Sequence, residues 1–350
     1  MREKSLKDIS WQVSEPEYRD DPALSYSTLA TYERGGFNCI ESLSERKETP
    51  SLVFGSAVDA IITGGQEEFD NKFLVAEFPS LSEKALKIIK DLFADNHITC
   101  RGYSDIPEHK VLGKIAEYEY WNNCKPETKL KKLSDEGVAD YYDLMHLAES
   151  KTLLSSEVYT DVLASVRALK ESPATEWFFR DDSPFDDSIE RLYQLKFKAT
   201  LNGIEYRCMA DELIVDHKKK IIYPKDLKTS SHHEWDFYKS FIEWNYQIQA
   251  RLYWRIIRDN LNRDPYFRDF TLADYEFIVV NKTSLTPLVW KFCQTTALGT
   301  IIAGNPAHPI ELRDPEAIGS ELKYYLDNKP VVPMGIYLKD SNDIMFWLNR

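Results

Sequence analysis

The chain lacks any apolar run near the roughly 18 residues that a membrane crossing needs. Its opening residues, MREKSLKDISWQV, hold no apolar leader core. A membrane is therefore not an expected partner, and a cytoplasmic protein is expected. Cysteine is sparse and scattered: Cys39, Cys100, Cys124, Cys208 and Cys293, with no CxxC pair. An odd, dispersed set argues against a disulfide framework and against a simple zinc or iron–sulfur site, so reduced thiols are expected. No GxxxxGK[ST] loop is present, which argues against a fused ATPase or helicase. Positive charge is in deficit, with 44 Lys and Arg against 57 Asp and Glu and a net charge of −13. That balance counts against broad phosphate binding by Lys and Arg. It leaves room for a metal-dependent nuclease, in which metal ions carry the positive charge at the phosphate and a local basic stripe guides the strand.

What the chain does have is ample core material: 8 Trp, 20 Tyr and 17 Phe in 350 residues, enough for one large domain or two ordinary ones. Residues 1–24 are polar, carry Pro16 and Pro22, and read as an irregular arm. In LSYSTLATYERGG, Ser25 or Ser27 is a suitable N-cap and Gly35 with Gly36 a stop. PSLVFGSAVDAIITGG starts with Pro50 in a first helical turn and ends in a glycine pair. Phe54, Val58, Ile61 and Ile62 recur there at helical spacing, with Asp59 beside that face. Helices are also predicted over 82–94, 107–121, 138–150 and 155–171. The Lys-rich stretch 122–135 reads as an exposed loop, either a DNA-facing patch or a solvated surface.

The acidic run 181–187 marks a change of composition, and beyond it the period falls towards two. Strands are predicted over 191–200, 204–215 and 221–227, joined by the Asn202-Gly203 turn and the basic turn 217–220. Helices over 231–244 and 246–261 follow, then strands over 275–282 and 287–293. A helix over 314–327, a Pro-rich stretch at 329–333 and an apolar IMFWL segment complete the chain. The expected fold is α/β: a central mixed sheet containing an antiparallel meander, flanked by helices, with a helical N-terminal region. The expected divisions are an arm (1–24), a mostly helical region bringing the Asp59 helix to the site (25–180), a catalytic core (188–293) and a C-terminal extension (294–350).

The chemistry concentrates in the meander. Asp211 interrupts an apolar strand, where an unpaired charge costs several kcal/mol. Asp226 falls near the end of the next strand, and a hairpin sets such strands about 5 Å apart. Lys228, two residues on, shares the face of Asp226. Two carboxylates and a lysine suit phosphodiester hydrolysis with a hard divalent cation, Mg²⁺ or Mn²⁺. The carbonyl of Leu227 points sideways from the strand and is positioned to complete the metal shell. Gln249 and Tyr253 are spaced i, i+4, so one helix face directs both at one site. Arg251, Arg255 and Arg258 on the same helix either track a DNA backbone or form a solvated face. His232 and His233 read as a surface pair at a helix start or as groups near phosphate.

The phrases YRCMADEL, DLKTSS and YQIQARLYW, with LSYSTLATYE and LVFGSAVDAII nearer the N-terminus, occur in a telling order. Together they resemble the PD-(D/E)xK nuclease superfamily, in the RecB-like branch with a QxxxY helix, and in particular RecE-type phage exonucleases. The resemblance covers about residues 20–65 and 188–293. It implies that Asp211, Asp226 and the Leu227 carbonyl bind metal, that Lys228 is catalytic, and that Gln249 and Tyr253 line the site and contact DNA. Glu190 matches an acidic residue that assists the metal. The family often carries a histidine four residues after the glycine of the N-terminal helix; here Gly55 is followed by Asp59. Aspartate still binds a hard cation, and its presence alters the second metal position. The implied activity is resection of linear double-stranded DNA in phage-type recombination, in a bacterium or phage-infected host. The implied partners are a single-strand annealing protein and further copies of the chain in a ring. A structure-specific endonuclease, or a nuclease-like protein that only binds DNA, are the alternatives.

Overall fold

The computed structural model describes residues 4–43, 49–180, 187–293 and 312–328. In chain order the elements are α1 (Glu15–Asp20), α2 (Tyr26–Gly35), α3 (Pro50–Lys72), β1 (Phe73–Val75), α4 (Glu83–Asn96), α5 (Glu108–Glu117), α6 (Pro126–Asp135), α7 (Val138–Ala148), β2 (Thr152–Leu154), α8 (Ser156–Glu171) and α9 (Glu176–Phe179). Then come β3 (Ile189–Leu201), β4 (Ile204–Asp216), β5 (Ile221–Ser230), α10 (Phe237–Glu243), α11 (Tyr246–Arg263), β6 (Thr271–Leu272), β7 (Tyr275–Asn281), β8 (Leu288–Phe292) and α12 (Pro315–Asn328). No described helix is long and apolar enough to cross a membrane. The Pro-rich stretch, the IMFWL segment and most of the acidic run lie outside the described residues.

The elements fall into two compact units, Met1–Thr49 with Ala168–Arg350, and Pro50–Arg167. The first holds the expected mixed sheet, in the order β3-β4-β5-β7-β8 with β6 beside β5. β3, β4 and β5 form the antiparallel meander; β5 and β7 run parallel, and β7 and β8 antiparallel. Asn202 and Gly203 both take positive φ (49° and 79°), the backbone of a two-residue hairpin turn. A parallel pair needs a crossover, and α10 and α11 lie in the one between β5 and β7. α11 buries Ile248, Leu252 and Ile256 at i, i+4 spacing in the same core as Phe197, Tyr206, Cys208 and Leu213.

The meander contains one irregularity that bears on function. The β3–β4 register skips the Gln194/Asp211 position, and Gln194 takes a left-handed φ of 53°. On β4 the core side is even-numbered before this point (Tyr206, Cys208, Ala210) and odd-numbered after it (Leu213, Val215). Strand alternation alone does not allow such a switch. The disturbed pair resets the face, and Asp211 stands at the reset.

In the second unit, α4, α5, α6 and α7 enclose Ile88, Leu92, Ile115, Leu133 and Tyr142. β1 and β2 pair in parallel. The stretch 122–135 is not a loop: from Pro126 it is α6, because a proline at the helix start and Leu130 with Leu133 at i, i+3 spacing make an amphipathic helix among the lysines. The glycine pair at 64–65 does not end α3 either. Gly65 leaves helical geometry (φ 73°), and the chain then resumes helix to Lys72.

The N-terminal arm is also more ordered than its sequence suggests. Ser14 caps α1 in a capping box with Glu17. Leu6 is fully buried, Trp11 N–H donates to the Lys196 carbonyl (2.7 Å), and Leu24 bridges to Tyr206 of β4. The arm contributes few apolar residues, and these follow no period, so local pattern gave no sign of docking.

α12 packs against β4 through Gly319. A Cβ there would sit 2.1 Å from the Tyr206 hydroxyl oxygen and 2.8 Å from the ring carbon that bears it. Tyr206 is fully buried and has little room to move. Gly319→Ala is expected to cost roughly 1–3 kcal/mol, read as a lower urea midpoint. Adding Tyr206→Phe should recover part of the loss. A midpoint unchanged by Gly319→Ala would refute this packing.

Candidate active site

The site forms where a ladder stops. β4 and β5 are paired from Asp216↔Ile221 to Glu212↔Lys225, whereas β5 continues beside β7 to Ser230↔Asn281. Beyond Lys225, the edge of β5 towards β4 opens a gap. Asp211 fills it: its Oδ2 accepts the Leu227 N–H at 2.9 Å, in place of a strand-to-strand bond. In an extended strand a residue's N–H and C=O leave by the same edge. The Leu227 carbonyl therefore faces the gap that the Asp211 carboxylate occupies.

Asp226 is fully buried. Its Oδ1 accepts the Gln249 side-chain amide at 2.5 Å and the Tyr275 hydroxyl at 3.3 Å. Its Oδ2 makes no directed hydrogen bond and instead meets the Lys228 ammonium in an ion pair. Lys228 lies over the rings of Tyr246 (5.2 Å to the centroid) and Phe277 (5.9 Å). Burial opposes the charge on Lys228, but the carboxylates of Asp226 and Asp211 outweigh it and hold the lysine well above its ordinary pKa. Tyr253 packs edge-on against Tyr275 with ring centroids 6.2 Å apart. Burial pushes the pKa of both phenols well up, so both remain neutral.

The structure thus gathers Asp211, Asp226, Leu227, Lys228, Gln249 and Tyr253. Gln249 and Tyr253 are buried, 4% and 7% exposed; Gln249 bonds Asp226 directly, whereas Tyr253 packs on Tyr275.

Two of the expected residues lie elsewhere. Glu190 pairs with Val215, four residues along β4 from Asp211, or roughly 13 Å at strand rise. There it accepts from Ser5 Oγ (2.5 Å) and lies 3.2 Å from His217 Nε2, tying the arm to the base of the meander. Arg251 is buried and donates to the carbonyls of Leu312 (3.3 Å) and Arg313 (3.4 Å). Its neighbours are likewise engaged within the chain, Arg255 with Asp314 and Glu316, and Arg258 with the Phe270 carbonyl. The helix spacing was right, but Arg251 and Arg255 meet the segment at 312–316 and Arg258 the Phe270 carbonyl. Asp59 belongs to α3 of the other compact unit. His233 stacks on Trp235, centroids 4.6 Å apart.

Tyr275, Tyr246 and Tyr26 join the site without having been singled out. Tyr26 and Tyr246 sit inside the phrases LSYSTLATYE and YQIQARLYW, which was the signal available. Tyr275 carried none, because it reaches Asp226 through the parallel register of β5 and β7.

No family model matches the chain, and no curated protein matches it. Among solved structures, a protein from Eubacterium rectale, provisionally named an exonuclease, is similar over 91% of this chain and 85% of its own, at 11% identity and a TM-score of 0.45.

Among the described residues no group of three or more His, Cys, Asp or Glu gathers to hold a metal. The donor set at the gap is two carboxylates and a backbone carbonyl. All are hard oxygen donors, and Asp226 Oδ2 is buried without a hydrogen bond. That set fits Mg²⁺, which usually takes one or two carboxylates and completes its shell with water and phosphate.

Lys228→Met would leave the Asp226 carboxylate buried without its counter-ion. In metal-free unfolding experiments a loss of about 3–5 kcal/mol is expected, and adding Asp226→Asn should restore much of it. A Lys228→Met protein as stable as wild type would show that the pair is not buried as described.

Proposed function

We propose that this centre hydrolyses DNA phosphodiester bonds with Mg²⁺ or Mn²⁺. The observation that carries the reading is the convergence of Asp211, Asp226 and Lys228 on the gap where the β4–β5 ladder ends. Asp211, Asp226 and the Leu227 carbonyl would hold the cation. When bound, it would polarise the phosphate and lower the pKa of water. Gln249 fixes the rotamer of Asp226 by holding Oδ1, which leaves Oδ2 without a hydrogen bond beside the Lys228 ammonium. Lys228 places its ammonium beside the carboxylates, where it orients the attacking water and offsets negative charge that develops on the phosphate.

Within this reading, the resemblance to RecE-type enzymes favours an exonuclease that resects linear double-stranded DNA in phage-type recombination. A ring of copies and a single-strand annealing partner belong to the same proposal, as does Asp59 as a further metal ligand. A ring would reconcile the acidic total with DNA, if lysines and arginines line only its channel.

The test is digestion of linear and closed circular DNA with Mg²⁺, Mn²⁺ or EDTA. Linear DNA should be degraded in either metal, circles should survive, and EDTA should stop the reaction. Lys228→Ala should slow hydrolysis by roughly 100- to 1,000-fold. Cutting of circles would replace the exonuclease by an endonuclease. DNA binding without digestion in any metal would overturn the hydrolytic reading.

A further inference from the structure

The aromatic residues around the site divide into two kinds. Phe237, Phe241, Tyr246, Phe277 and Trp290 pack on one another within the core. Trp244 does not: at the junction of α10 and α11 it is 44% exposed. Leaving an indole in water forgoes burial that its neighbours obtain, and the backbone enforces this. Asn245 takes a left-handed φ of 55° to start α11. The Trp244 carbonyl is held from two sides, by the Tyr26 hydroxyl (2.7 Å) and by Arg34 Nη1 (3.5 Å). The Arg34 guanidinium also lies 5.2 Å from the centre of the indole ring. Arg34 is exposed and pairs with no carboxylate among the described residues.

This exposed pair is continuous with the catalytic gap. Tyr26, which bonds Trp244, has its ring 6.4 Å from that of Tyr246, and Tyr246 carries the Lys228 ammonium over its face. An aromatic face beside a guanidinium whose charge no described carboxylate offsets, next to a phosphate-handling centre, matches the two needs of an unpaired nucleotide, stacking for its base and positive charge for its backbone. Glu243 is exposed next to Trp244 and opposes the phosphate but not the base.

We propose that Trp244, clamped by Arg34 and Tyr26, is a stacking shelf for one unpaired nucleobase of the strand that enters the site. This rests on the phosphodiesterase reading and adds to it: the strand is unpaired beside the scissile bond, so a duplex end must fray by at least one base to be cut.

The test measures binding of fluorescently labelled single-stranded oligonucleotides to the full chain in EDTA, where hydrolysis is stopped. Trp244→Ala should weaken binding by roughly 5- to 150-fold, and Trp244→Tyr, which keeps a stacking face, should retain most of it. Thermal melting of each variant confirms folding. A series of oligonucleotides with an abasic site moved along the strand should reveal one position whose base loss weakens wild type but has little further effect on Trp244→Ala. Equal binding by wild type and a folded Trp244→Ala would overturn the shelf and leave the hydrolytic reading intact. Failure of wild type to bind any oligonucleotide would also overturn the shelf, while the hydrolytic reading is decided separately by digestion of duplex DNA in metal.

Discussion

A carboxylate with no exposure to water is the constraint on which this site depends. Burying Asp226 costs several kcal/mol unless its charge and lone pairs are met. The protein meets them from three elements: Lys228 from the same strand, Gln249 from α11, and Tyr275 from β7. Each element is in turn held by the core. α11 buries Ile248 and Leu252 beside Gln249, and Tyr275 is fixed edge-on by Tyr253. The sheet, the crossover helices and the parallel pairing of β5 with β7 are thus required together by one charge. The same arrangement leaves one oxygen of that charge without a directed hydrogen bond, met only by the Lys228 ammonium.

The opposite face of the same strand repeats the problem with the other sign. Lys225 precedes Asp226, so its side chain leaves on the other side of the sheet. It is buried, with its ammonium 4.3 Å from the centre of the Phe178 ring and paired with Glu276 across the β5–β7 register. Burial lowers its pKa, and Glu276 opposes that. Two consecutive buried charges of opposite sign, each tied to β7, make the register of that parallel pair costly to shift. A slip of one residue would part Lys225 from Glu276 and Asp226 from Tyr275 at once. Precision at the gap follows from this double lock.

Much of this was legible locally, and what was missed has a common cause. The meander could be read from period-two alternation and the Asn202-Gly203 turn, and the crossover helices from their apolar spacing. The arm, Glu190 and Arg251 were misjudged because each depends on what lies across from it. Leu6 and Leu24 have no period, yet they dock on the core. Glu190 lies within β3, opposite Val215 and four residues along β4 from Asp211. Arg251 is on the right helix, but faces the segment at Leu312 and Arg313.

By itself the sequence determined the α/β class, the placing of Asp226 and Lys228 on one strand face, and the pairing of Gln249 and Tyr253 on one helix face. Those relations span at most four residues and follow from the repeat of a strand or a helix. Only the tertiary structure decided that the β4–β5 ladder would stop at Lys225, that Asp211 would replace a backbone bond there, and that Tyr275 would complete the hold on Asp226. These contacts join residues from 16 to 49 positions apart. Pairings at that range arise from burial and register across the whole core, and no local pattern encodes them.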